Sequence, residues 1–158
     1  MLVRSIWFPA MSLGADPALH GVRAVQTTGG YTSIDVISID AGRNGYSTAV
    51  VPLMAGVNAV EVDIYRTNTA DLEDTYWQVE LREFGEDLEL DSAPTVSEYG
   101  LLIPAGASAY NVGRVSTRRL PVVARANRSM SVVVARDVSV VSGSYVALLV
   151  GIDVRLYR

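Results

Sequence analysis

Two antiparallel sheets packed as an all-β sandwich, of jelly-roll or Greek-key type, are predicted by three features of this 158-residue sequence. Apolar and polar residues alternate at period two in most segments, most cleanly where Val60, Val62 and Ile64 interleave with Glu61, Asp63 and Tyr65. Turn-forming clusters of Gly, Asn, Ser and Pro recur roughly every ten residues, the spacing of short strands in a sandwich. No helix-strand alternation appears, and a valine-rich composition with 49% hydrophobic and 19% charged residues suits a folded β protein. The length fits one domain that buries about 70% of its unfolded surface.

Residues 1–21 contain Pro9, Gly14, Pro17 and Gly21 without a sustained period, and read as a short strand or extended arm followed by a loop. Residues 22–158 then form the single sandwich domain. Trp7 and Phe8 are costly to leave in water, so the arm is expected to dock, on its own domain or on a neighbour. Pro9 interrupts the apolar run of Ile6, Trp7 and Phe8, too short for a signal peptide, and Tyr145 to Ile152 falls short of a membrane span. The expectation is a soluble protein with no membrane partner.

From Tyr31 to Asp40 the apolar residues change phase, Ile34 and Val36 on one parity and Ile37 and Ile39 on the other, which a β-bulge would repair. The cluster Ala41 to Gly45 is a turn, and Tyr46 to Val51 the next strand. Thr67 to Asp74 is a polar loop. Thr75 to Asp91 admits two readings. As a hairpin, Trp77, Val79 and Leu81 point inward, Phe84 to Asp87 turn, and Leu88 and Leu90 resume the pattern. As a helix, Thr75 and Gln78 make a capping box and Trp77, Leu81 and Phe84 a stripe ending at Gly85. The period-two neighbours favour the hairpin.

Leu101 and Leu102 lead into a turn at Ile103 to Gly106, and Tyr110 to Val115 is a strand. Pro121 suits Leu120 to Ala124 to a sheet edge. Met130, Val132 and Val134, followed by Val138 and Val140, make one strand or a pair. The last strand, Tyr145 to Tyr157, is apolar at both parities from Val146 to Val150, so both its faces need cover, from a second sheet plus a loop or from another subunit.

Charge is sorted along the chain. Between Glu61 and Glu98 twelve acidic residues stand against Arg66 and Arg82, whereas Tyr99 to Arg136 holds Arg114, Arg118, Arg119, Arg125, Arg128 and Arg136 with no acid. Such blocks pair within one fold or across subunits, and the second arrangement orients assembly. A net charge of −4 gives no general attraction to nucleic acid or anionic membranes. One tyrosine, Tyr110, near the arginines is a thin platform for stacked bases, so no specific nucleic-acid partner is expected. An acidic protein surface, including the chain's own Glu80 to Asp91, fits the arginines better.

Several chemistries are closed. Without cysteine there are no disulfides, thiolate metal sites or thiol nucleophiles, and without lysine there is no Walker lysine or Schiff base. His20, the only histidine, has no nucleophile elbow to serve and reads as an ordinary loop residue. The acidic groups Asp71, Glu73, Asp74 and Glu86, Asp87, Glu89, Asp91 lack the EF-hand spacing and read as solvated. Asn127-Arg128-Ser129 matches a glycosylation acceptor by coincidence. The reading is therefore not an enzyme, with no cofactor and no metal.

Leu102-Ile103-Pro104-Ala105-Gly106 with the following Tyr110, and Met54-Ala55-Gly56-Val57-Asn58 before a valine-rich strand, resemble turns of jelly-roll structural proteins of tailed bacteriophages. With the irregular N-terminal arm, the chain over residues 50–158 resembles a capsid decoration, or cement, protein. That resemblance implies a virion protein assembled in the host cytoplasm, a homo-oligomer with a trimer favoured, docked on the major capsid protein or another virion protein. Trp7 and Phe8 would anchor the arm, and Arg114, Arg118, Arg119, Arg125 and Arg128 would meet acidic partners. The alternative is a carbohydrate- or receptor-binding sandwich of fibre or lectin type, using exposed Tyr and Asp side chains on loops where aromatic and acidic groups converge.

Overall fold

The computed structural model describes residues 1–14, 22–29, 32–42, 44–68, 74–85, 95–103, 113–125, 128–140 and 146–158. Among them lie eleven strands: β1 (Leu2–Pro9), β2 (Val22–Gly29), β3 (Thr32–Ile39), β4 (Gly45–Pro52), β5 (Ala59–Asn68), β6 (Thr75–Gly85), β7 (Thr95–Ile103), β8 (Gly113–Ser116), β9 (Leu120–Pro121), β10 (Arg128–Arg136) and β11 (Ala147–Tyr157). They form a jelly-roll β-sandwich of two antiparallel sheets, one of seven strands in the order β2-β3-β11-β5-β8 with β1 and β9 attached, the other β4-β10-β6-β7.

β11 is the centre of the larger sheet. One of its edges pairs with β3 through Ala147 to Leu149 and then with β1 through Gly151 to Tyr157, while the other edge pairs with β5 along its length. A strand flanked on both sides and stacked on a second sheet must be apolar. Leu149, Ile152, Val154 and Leu156 enter the core against Trp77, Val79, Leu81, Met130, Val132 and Val134 of the smaller sheet. On the opposite face Leu148 is only 4% exposed within the single chain. The second apolar face is thus covered from within, and that argument for another subunit falls away.

The β-bulge sits elsewhere than expected. β2 and β3 pair without a register shift, and Val36, Ile37, Ser38 and Ile39 are all buried, so the phase change in 31–40 reflects a strand covered on both faces. Among the described residues, shifts occur between Leu2 and Arg4 of β1, between Leu81 and Arg82 of β6, and in β11 between Leu149 and Gly151, the last keeping Leu149 and Ile152 on the same inward side despite their odd spacing.

The N-terminal stretch is woven into the sandwich. β1 lies on β11 with Ile6 and Phe8 packed against the core. A 3-10 turn over Ala10–Ser12 buries Ala10 and leads to Leu13. Gly14 then exchanges backbone hydrogen bonds of 2.8 and 2.9 Å with Thr48 of β4. The chain thereby crosses from one sheet to the other, and the arm docks on its own domain; residues 15–21, with His20, lie outside the described residues.

Residues 75–85 are strand, not helix, and pair with β7, the register running from Thr75↔Ile103 to Arg82↔Thr95. Leu88 and Leu90 lie outside the described residues. β10 ends at Arg136, and Val138 to Val140 form a turn, not a second strand. Pro121 occupies an edge, in β9 beside β5.

Candidate functional site: the outer face of the larger sheet

Directly opposed residues of antiparallel strands share a face, so the register assembles the outer surface row by row. Trp7 of β1 stands opposite Asp153, which stands opposite Asp63 and then Ser116. The next row holds Gly151, Tyr65 and Arg114, and on the other side run Ser5, Arg155 and Glu61. This alternation follows from β5, whose valines and Ile64 take the core and leave Glu61, Asp63 and Tyr65 outside.

Trp7 is 48% exposed and leans across Gly151 to meet Tyr65, the ring centroids 5.1 Å apart at 87°. This edge-to-face geometry sets the positive edge of one ring on the negative face of the other. Glycine is required beneath it. A Cβ at 151 would lie 2.6 Å from the indole and 2.7 Å from the Phe8 carbonyl oxygen.

Beside the aromatic pair runs a charged network. Asp63 and Asp153 oppose one another directly, an arrangement that repels unless each carboxylate is neutralised. The Ser5 hydroxyl lies 2.6 and 2.8 Å from the two oxygens of Asp153. Arg155 donates to Asp63 at 2.5 Å and to Glu61 at 2.8 Å. Burial works against the Arg155 charge, but the hydrogen bond it donates to Asp63 and the fields of Asp63, Glu61 and Tyr157 outweigh it, so its pKa is raised. The Tyr157 hydroxyl donates to Glu61 at 3.0 Å, and the Arg119 guanidinium lies over the Tyr157 ring, 4.0 Å from its centroid. Arg114, its side chain 59% exposed, stands 3.9 Å from Asp63.

The residues expected to bind partners do not form one surface. Trp7, Arg114 and Arg119 reach the outer face of the larger sheet, whereas Phe8 turns inward. Arg118 lies over the Tyr99 ring at 5.5 Å, toward the smaller sheet. Arg125 and Arg128 approach Glu83 at 4.0 and 3.6 Å, pairing the basic and acidic blocks inside one fold. Tyr65, Asp153, Ser5 and Gly151 are not among the site residues the sequence suggests; the outward parity of Tyr65 and Asp153 and a glycine inside an apolar strand are the signals that bear on them.

Among the described residues, aromatic and acidic groups therefore converge on a sheet face. Among the described residues no group of three or more His, Asp or Glu side chains is placed to hold a metal ion. Asp71, Glu73 and the Glu86 to Asp91 cluster lie outside the described residues.

No protein-family model and no curated protein matches the sequence. Solved structures do match in fold. A family 35 carbohydrate binding module from an environmental isolate superimposes with a TM-score of 0.57 at 13% identity, over 97% of this chain and 93% of that one. The xylan-binding module CBM15 gives 0.53 at 7% identity, over 98% and 97%. The CBM36-1 domain of a multidomain xylanase from the hindgut metagenome of Trinervitermes trinervoides gives 0.52 at 9% identity, over 96% of both chains. These are carbohydrate-binding modules and not capsid decoration proteins, so the likeness carries the jelly-roll part of the phage resemblance without its virion part: by fold, the chain is similar to β-sandwich carbohydrate-binding modules.

Proposed function

We propose that the protein is a polysaccharide-binding β-sandwich module, with its site on the outer face of the larger sheet, centred on Trp7. One observation carries this reading: a half-exposed indole held against Tyr65 beside the carboxylate of Asp153. A pyranose ring has an apolar C–H face, which an exposed aromatic surface shelters from water, and a rim of hydroxyls, which a carboxylate accepts from. Trp7 serves the first need and Asp153, steadied by Ser5, the second. The fold likeness to modules named for carbohydrate binding supports the reading, although one fold hosts many functions. A module of this kind holds its ligand and does not transform it. The capsid-decoration reading has no comparable observation behind it.

Affinity gel electrophoresis through neutral xylan, mixed-linkage β-glucan and galactan tests the proposal. At least one polymer should retard the protein, and Trp7→Ala should weaken that retardation about tenfold or more, as loss of a central aromatic anchor does. Its thermal midpoint reports whether the fold survives. Retardation that is absent, or indifferent to Trp7, would overturn the reading.

A further inference from the structure

The positions and exposure of two arginines narrow the ligand class, on the premise that the outer face binds polysaccharide. Arg114 is directly opposite Tyr65 in the β5–β8 ladder, so its guanidinium rises beside the aromatic pair. Its charge is largely unspent. Asp63 is only 2% exposed and takes its near contact from Arg155 at 2.5 Å, while Arg114 stands off at 3.9 Å with its side chain 59% exposed. Arg119, also exposed, lies over the Tyr157 ring on the same face. Tyr157 is opposite Ala59, six residues along β5 from Tyr65. At roughly 3.3 Å per residue those two backbone positions are about 20 Å apart along β5, so the two arginines serve different parts of the face. Acidic groups face the same surface, but Glu61 and Asp63 are engaged by Arg155, and Asp153 stands on β11, between the strands of Trp7 and Tyr65 and two strands away from Arg114. The face is therefore polar across the sheet: a carboxylate on β11, exposed guanidiniums on β8 and just before β9.

We propose that the ligand is an acidic polysaccharide carrying uronate carboxylates, seated with its sugar faces on Trp7 and Tyr65 and its carboxylates toward Arg114 and Arg119. A guanidinium presents paired N–H donors that match a carboxylate in a two-point bond, which an ammonium does not offer. Asp153 would repel a carboxylate placed over β11, so the charges of this face also set the ligand's orientation.

The test compares glucuronoxylan with the same polymer after its carboxyl groups have been reduced to alcohols, by affinity electrophoresis at low and at physiological salt. The wild-type chain should prefer the acidic polymer by about tenfold, the worth of one charge-assisted hydrogen bond, with the preference shrinking as salt rises. In Arg114→Gln, which keeps a planar donor and removes the charge, the ratio of the two affinities should fall toward one, and Arg119→Gln should lower it further. Equal binding of both polymers by the wild-type chain would overturn the uronate assignment while leaving the polysaccharide reading intact. Stronger retardation by dextran sulfate than by glucuronoxylan would overturn it in favour of a sulfate ester. Failure to bind any polymer, neutral or acidic, would overturn both readings.

Discussion

Trp7 leans on Tyr65 because residue 151 has no side chain. A methyl group there would meet both the indole and the Phe8 carbonyl oxygen, and the backbone oxygen cannot move unless β1 moves with it. Gly151→Ala is therefore expected to cost about 1–3 kcal/mol, the range of overpacking a close contact, and to abolish polysaccharide retardation. Urea denaturation and the same gels read the two effects. If binding survives with the stability loss, the ligand does not use this pose of Trp7. Asp63 presents a different balance. It is almost fully buried, and Arg155 is its near partner. Arg155→Met should destabilise the fold by about 3 kcal/mol, since it strands a buried carboxylate, and adding Asp63→Asn should recover most of that loss. A double variant no better than the single would refute the pairing argument. The raised pKa of Arg155 fixes the sign of its pH dependence. A base whose folded pKa lies above its unfolded one contributes fully below the unfolded value and loses that contribution only as pH climbs through the folded one. The stability it adds should thus be constant through the neutral and mildly alkaline range and disappear only in strong alkali.

Strands differ in what one of their side chains is worth. Trp77 of β6 is completely buried in the core, whereas Leu102 of the edge strand β7 is 58% exposed. Trp77→Ala should cost about 3–5 kcal/mol and Leu102→Ala no more than about 0.5 kcal/mol. Chemical denaturation midpoints distinguish the two, and similar costs would contradict the assignment of faces in the smaller sheet. β1 is a structural strand as well as the bearer of Trp7. Removing residues 1–9 would bare the Gly151 to Tyr157 edge of β11 and take Ile6 and Phe8 from the core. The truncated chain is expected to be insoluble or unfolded by circular dichroism, because an uncovered edge beside exposed apolar side chains invites aggregation. A folded truncation would show that β1 is dispensable packing.

At the scale of the whole molecule, the described part of the acidic block meets both the basic block and Arg155, which lies outside that block. Glu83 meets Arg125 and Arg128, while Glu61 and Asp63 meet Arg155. The Arg125–Glu83 contact, 4.0 Å long with the arginine side chain 60% exposed, adds little stability, whereas Arg155 and Asp63 make the buried pair. The central strand is also closed within the chain, since Leu148 is shielded without a second copy. Light scattering of the purified chain is accordingly expected to give a single-chain mass at low and high salt. A discrete trimer would return shell docking to consideration.

The sequence by itself determined the sandwich. Val60, Val62 and Ile64, Trp77, Val79 and Leu81, and Met130, Val132 and Val134 all face the core as their period-two spacing requires, because a strand has only two faces and water sorts them. It also supplied Trp7 as a candidate anchor, since a large indole outside a regular pattern asks for a use. Three things lay beyond its reach. The bulge at Val150 depends on which neighbours flank β11, and the same two-faced run is compatible with a second subunit or a central strand. The split of the arginine block depends on how Thr117 to Leu120 and Val122 to Arg125 are laid across two sheets. The face that gathers Trp7, Tyr65, Asp153 and Arg114 draws on β1, β5, β8 and β11, up to about 150 positions apart in the chain, and local spacing carries no information about pairings formed at that distance. Only the tertiary register brings them into neighbouring rows, because cross-strand partners are chosen by core packing on the other side of the sheet.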